Sequence, residues 1–193
     1  MYEQLTHTPA DDNQSRQVSK EDFEPVLIIV DAQNDFITGP LGSHSAQAIV
    51  EPICEFLKGW KRGRIFMLKN TRSDGSYLAT QEGEKLPIKH SIWGTDGWLM
   101  NHKIHHAVVC TWQISKEIQK HDVGYLDWKE HFMYASEIHL IGMRMETSII
   151  TNALILKTIF PEVPIYVHVG LCAGGKDFVD ALNVMECCQI NLV

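Results

Sequence analysis

The chain has 193 residues, of which 45% are hydrophobic and 21% charged, and its formal net charge at pH 7 is -7. This length and composition are typical of one soluble globular domain with a single sizeable core. The acidic charge argues against nucleic-acid binding, and no apolar run is long enough to cross a bilayer. We therefore expect neither nucleic acid nor membrane among its partners.

Strand and helix patterns alternate from Val26 to the end of the chain. Strands are predicted at 26–30, 64–68, 107–112, 139–142, 165–169 and 189–193, and helices at 46–60, 146–160 and 177–188. The first strand is five consecutive apolar residues, which is typical of a strand buried on both faces of a parallel sheet. Residues 73–98 have no sustained periodicity, and so long a stretch is usually functional. The pattern predicts an α/β fold of three layers around a mostly parallel, doubly wound sheet.

The termini and cysteines bear on domain organisation and compartment. Residues 1–23 are rich in polar side chains and are predicted to be a flexible polar arm, with residues 24–193 forming a single domain. The arm lacks the apolar core of a secretory signal. Five cysteines, with Cys187 and Cys188 adjacent, do not look like a disulfide framework. A reducing compartment is the simpler interpretation, so we predict a cytoplasmic protein.

Asp31 directly follows the first predicted strand. Open α/β sheets place their ligands at the carboxyl ends of the strands, which makes this carboxylate a candidate general base. Turn-forming residues follow it, and Asp is also common as a helix cap. Both interpretations stay open from this stretch alone.

Four stretches, taken in order, resemble the isochorismatase-like cysteine hydrolase superfamily, especially its nicotinamidase-like members. They are residues 31–36, residues 90–95, Lys120 with Gly124, and residues 142–153. The closing segment from Cys172 to Ile190 agrees as well, so the resemblance covers nearly the whole chain from about residue 25. It implies an isochorismatase-like fold and, as is usual in this superfamily, a homo-oligomer that acts on a small molecule.

The resemblance also implies a site made of an Asp, a Lys and a Cys. Asp31 matches the base and Lys120 the residue that stabilises charge, although a solvated helix-end lysine is the alternative for Lys120. Backbone N–H groups at the start of the nucleophile's helix are expected to receive the oxyanion. The matching motifs assign substrate binding to a further set: Phe36, Trp93, Gly94, Thr95 and Thr147.

The nucleophile position departs from the superfamily. Its cysteine lies in a segment like Thr-Asp-x-Cys-Val, and residues 145–149 here read Met-Glu-Thr-Ser-Ile, which puts Ser148 at that position. A hydroxyl ionises far less readily than a thiol, so Asp31 is a weak activator for it. The alternative role of Ser148 is to cap the helix start. An engineered Cys→Ser change would explain Ser148 but not the further departures at Asn70, Arg72 and Glu146.

The metal positions depart too. Nicotinamidase-like relatives hold a divalent ion with an Asp-x-His and a further His, and the matching residues here are Asn70, Arg72 and His90. A guanidinium cannot ligate a cation, so we expect a degenerate site with no metal and no cofactor. Arg72 is instead a candidate to pair with Asp31 or to bind an anionic ligand.

Three functions are compatible with these residues. The first is a hydrolase that acts on the C–N bond of a small amide, with Asp31 as base and Lys120 as charge stabiliser. The second is a catalytically inactive pseudoenzyme that serves as a ligand-binding or partner subunit. The third is an isochorismatase-type hydrolase that cleaves an enol ether with Asp31 and Lys120 and needs no thiol.

Overall fold

The computed structural model describes residues 23–73 and 75–193. The predicted polar arm, residues 1–23, lies outside the described residues except for Phe23. The strands are β1 (Val26–Val30), β2 (Arg64–Asn70), β3 (Ser115–Lys120), β4 (Ile138–Met143), β5 (Ile165–Ala173) and β6 (Asn191–Leu192). The α-helices are α1 (Asn34–Ile37), α2 (His44–Ala48), α3 (Val50–Gly59), α4 (Gln81–Lys85), α5 (His102–Val109), α6 (Ile150–Ile159) and α7 (Phe178–Cys187).

The six strands form one parallel sheet in the order β3-β2-β1-β4-β5-β6. Side chains alternate between the faces of a strand, and in β1 they divide between two cores although all five residues are fully buried. Leu27 and Ile29 pack into the core with α3 and α5, while Ile28 and Val30 pack into the core with α6 and α7. Helices therefore cover both faces of the sheet, and the predicted three-layer α/β fold is confirmed.

The prediction of a third strand at residues 107–112 was wrong. Residues 102–109 form helix α5, on which Ile104 and Val108 are buried one turn apart, and the strand runs instead from Ser115 to Lys120. This strand lies at the edge of the sheet, where only Ile118 and Lys120 are buried. An edge strand needs few apolar residues, so the hydrophobic pattern did not reveal it.

The order of the strands decides where a ligand can bind. The chain proceeds from β1 outward through β2 to β3 and then returns to the other side of β1 as β4. Ligands of open α/β sheets bind at such a reversal, outside the carboxyl ends of the strands. The register pairs Asn70 with Lys120 and Val30 with Gly142, so the exits of β1, β2, β3 and β4 lie together.

Among the described residues, no helix has both the length and the apolar character that crossing a membrane requires.

Candidate functional site

A buried ion pair lies at the exits of β1 and β3. The Nζ atom of Lys120 is 3.0 Å from Oδ2 of Asp31, and both side chains are at most 1% exposed. The same Nζ donates to the backbone carbonyl of Asp122 at 3.0 Å and to Oγ of Ser148 at 3.5 Å. An ammonium has three N–H donors, and all three have acceptors here. The structure therefore brings the three predicted catalytic residues, Asp31, Lys120 and Ser148, into one contact group.

Ser148 follows β4 in a π-helical turn, Met145–Ile149, that leads into α6. Its side chain is buried, and Asn152 one turn later donates from Nδ2 to the Ser148 carbonyl at 2.7 Å. Asn152 also accepts from the backbone N–H of Tyr125 at 3.0 Å, which ties the loop after β3 to this helix. Asn152 thus holds the backbone of Ser148, and Lys120 contacts its hydroxyl.

The N–H groups at the start of this turn are less available than the sequence predicted. Those of Thr147 and Ile149 both donate to the carbonyl of Arg144 at 3.1 Å. Two of the amides expected to receive an oxyanion already have an acceptor.

Two residues of the site have a left-handed backbone conformation: Arg144 has a φ of +63°, and Asp31 has a φ of +48°. Non-glycine residues in this conformation cost energy and cluster at functional sites.

An inner cavity of 140 Å³ opens beside Ser148. Two of the predicted substrate-binding residues, Phe36 and Thr147, line it together with Ser148. The Oδ1 atoms of Asp31 and Asn70 are buried and have no hydrogen-bond partner among residues 23–73 and 75–193. Buried polar atoms are nearly always satisfied, so these two oxygens are candidate acceptors for a ligand.

The other three predicted substrate-binding residues lie outside the inner cavity. Trp93 is 66% exposed and lines an open groove with Arg72 and His121. Gly94 occupies a turn with a φ of +80°, and the Thr95 hydroxyl accepts from the backbone N–H of Trp98. These residues shape the surface next to the cavity but do not line it.

The three residues of the predicted degenerate metal site have other partners. Arg72 forms an ion pair with Glu82 and donates to the carbonyl of His121, rather than pairing with Asp31 as the sequence suggested. Nδ1 of His90 lies 2.8 Å from the Ile88 carbonyl, and burial lowers the pKa of this imidazole. A guanidinium fixed at this place repels a cation, so the residues do not fit a divalent metal.

Some residues that shape the site were missed at the level of sequence. Both ends of the Gln33 side-chain amide bond the backbone of Asn70, at 2.7 and 2.9 Å, which holds the exit of β2 against that of β1. Asp35 accepts from the N–H of Ser91 at 2.7 Å and so fixes the segment that carries His90. Gln33 and Asp35 belong to the motif after β1, and their polar side chains close to a buried strand were the available signal. The sequence marks Arg144 only as larger than the residue expected in that loop by the resemblance, and it assigns no role to this side chain.

The thiol of Cys172 on β5 is another potential nucleophile. It is 5% exposed on β5, and burial raises the pKa of its thiol to about 12. Because the thiolate is the nucleophilic form, this cysteine is unsuited to attack a carbonyl near neutral pH.

No protein-family model and no curated protein matches the sequence, but solved structures do match the fold. A pyrazinamidase/nicotinamidase from Streptococcus mutans has a TM-score of 0.72 and 18% identity, over 88% of this chain and 100% of that one. The N-carbamoylsarcosine amidase of Thermoplasma acidophilum has a TM-score of 0.65 and 18% identity, over 88% and 95%. An isochorismatase-like hydrolase from Alkaliphilus metalliredigens has a TM-score of 0.67 and 13% identity, over 88% and 94%. The chain has the isochorismatase-like fold.

The poor fit to a metal within this isochorismatase-like fold gives a direct prediction. The purified protein is expected to contain no stoichiometric zinc, iron or manganese by total metal analysis, and added zinc is expected to leave its melting temperature unchanged. The double variant Asn70→Asp/Arg72→His supplies a carboxylate and an imidazole next to His90, and we expect it to bind zinc measurably. Stoichiometric metal in the unmodified protein would show that our interpretation of Asn70 and Arg72 is wrong.

Proposed function

We propose that this protein is a hydrolase that cleaves the C–N bond of a small amide. The observation that carries the proposal is the position of Lys120 Nζ, 3.0 Å from the Asp31 carboxylate and 3.5 Å from the hydroxyl of Ser148, which lines the inner cavity. A hydroxyl nucleophile needs a route for its proton and a cation to stabilise negative charge. Lys120 and Asp31 together supply the route, and Lys120 supplies the cation.

The proposed reaction has two halves. In the first, Ser148 Oγ attacks the amide carbonyl carbon while its proton passes to Lys120, which hands one of its own protons to Asp31. The C–N bond then breaks, the amine takes the proton from Asp31, and an acyl-serine remains. In the second half, water attacks the ester carbonyl, and one water proton passes through Lys120 to Asp31. The bond from the acyl group to Ser148 Oγ then breaks, the proton returns to this oxygen, and the carboxylic acid leaves. The sum is amide plus water giving acid plus amine.

Similar structures support amide chemistry over other hydrolyses. Two of the structures described above are, by name, a pyrazinamidase/nicotinamidase and an N-carbamoylsarcosine amidase, so two proteins with this fold are named as amidases. The inner cavity has room for only a small group beside Ser148. The unpaired Oδ1 of Asn70, a residue that lines this cavity, suits an N–H donor of an amide.

Ammonia release from a panel of small primary amides tests this function. The unmodified protein is expected to release ammonia from at least one of them, and Asp31→Asn to lower the rate about a hundredfold, since general-base catalysis contributes that much. Asp122→Asn is the matched control, because Lys120 contacts only the backbone carbonyl of this exposed residue. Absence of release above background from every amide would overturn the proposal.

The second candidate is a pseudoenzyme that binds a ligand without turnover. Two observations favour it. The N–H groups of Thr147 and Ile149 already donate to the carbonyl of Arg144, and the partner of the Ser148 hydroxyl is a lysine, which donates a hydrogen bond instead of accepting one. A protein of this kind binds amides in the inner cavity and releases no ammonia, either as the unmodified protein or as Asp31→Asn.

A further inference from the structure

The inner cavity adjoins a second, outer cavity of 240 Å³, which lies between the α1–α2 region and the end of β5. Phe36, Leu86 and Arg144 line both spaces. Two of these shared side chains are apolar and the third is a guanidinium. A ligand that occupies both cavities would therefore lie against Arg144.

The size of the inner cavity limits what it can hold by itself. A water molecule takes about 30 Å³ in the liquid, so 140 Å³ corresponds to roughly four or five water-sized groups. An amide group with one or two carbons fills this space. The outer cavity, beyond Phe36 and Leu86, is an adjoining space for the remaining atoms of a longer substrate.

The charges around the two cavities are not equally satisfied. Lys120 is bonded closely to Asp31, and Arg72 to Glu82. Arg144 differs, because its Nη2 atom lies 3.8 Å from Oε1 of Glu146. The other oxygen of Glu146, which also lines the outer cavity, accepts the N–H of Gly175 at 3.0 Å, so this carboxylate divides its contacts between two partners.

We infer that the substrate is an amide that carries a carboxylate at its far end, and that Arg144 binds this carboxylate. The inference rests on the proposed function for the position of the amide, beside Ser148. A guanidinium presents paired N–H donors that match a carboxylate, and its own ion pair here is long. The apolar carbons of such a ligand contact Phe36 and Leu86, and its amide N–H group reaches the unpaired Oδ1 of Asn70, which lines the inner cavity.

Succinamate and succinamide are suitable probes, because they have the same number of non-hydrogen atoms and differ only in the charged end. Binding is measured by calorimetry in a Ser148→Ala background, which prevents turnover, and kcat/KM for ammonia release is measured with Ser148 present. We expect succinamate to bind roughly tenfold or more tightly than succinamide. Arg144→Met is expected to abolish the difference by weakening the binding of succinamate.

Two further variants make the result specific. Arg144→Lys keeps the charge but not the paired donors, so it is expected to restore part of the preference. Arg62→Met removes an exposed arginine that lines neither cavity and is expected to change nothing.

The outcomes separate the two proposals. Equal affinity for both probes, no binding of either, or an equal loss of both in Arg144→Met would overturn the carboxylate site. A preference for succinamate that depends on Arg144, without ammonia release from any amide, would leave the site standing and overturn the hydrolase. Equal ammonia release from both probes would overturn the carboxylate site and leave the hydrolase standing.

Discussion

Replacing Ser148 with cysteine is expected to raise the rate of amide hydrolysis about a hundredfold or more over the unmodified protein. A free thiol ionises near pH 8.5, and a few per cent is thiolate at neutral pH, whereas a hydroxyl provides almost none. Lys120 Nζ lies 3.5 Å from the Ser148 oxygen, where its positive charge would favour a thiolate further. The measurement is ammonia release from the amide panel with both proteins at pH 7.

Two controls define what this gain means. Ser148→Ala removes the nucleophile in the same space and is expected to show no gain, and Ser148→Cys/Asp31→Asn is expected to lose most of it. Alkylation of Ser148→Cys by iodoacetamide at pH 7 reports the thiolate without any substrate. A reactive thiolate without hydrolysis would show that the site lacks oxyanion stabilisation, as the amides occupied by Arg144 suggest. An unreactive thiol would contradict the activation that we assign to Lys120 and Asp31.

Lys120→Met is expected to lower the free energy of unfolding by about 3–5 kcal/mol. Breaking a buried ion pair by removing one partner leaves an uncompensated charge, and that range is typical of such changes. Here the charge left behind is the Asp31 carboxylate, which is fully buried and has one oxygen without a partner among the described residues. Urea denaturation monitored by circular dichroism measures the difference.

The matched control for this change is Lys58→Met. Lys58 forms an ion pair with Glu55, but both side chains are at least 67% exposed, and such exposed pairs contribute little to stability. The double variant Lys120→Met/Asp31→Asn is expected to recover part of the stability, because the carboxylate that lost its partner is no longer charged. If Lys120→Met is no more destabilising than Lys58→Met, the buried pair is not the strong contact that its geometry indicates.

Several features of the site could be predicted from residues close in sequence. Val26–Val30 is apolar throughout, so its burial and the position of Asp31 at its end followed directly from the pattern. Arg144 could not be found in this way. Its proposed role depends on two cavities, and the residues that line them, such as Phe36 and Leu86, are distant from Arg144 in sequence.

The sequence by itself determined the layered α/β fold and the edge of the sheet at which Asp31 lies, because an unbroken apolar run indicates a strand buried on both faces. Only the tertiary structure decided that Lys120 reaches Asp31, since the two residues are 89 positions apart and meet through the register of β1, β2 and β3. It also decided the partner of Arg72 and the exposure of Trp93. The local sequence does not specify such contacts, because they depend on how separate segments are packed against one another.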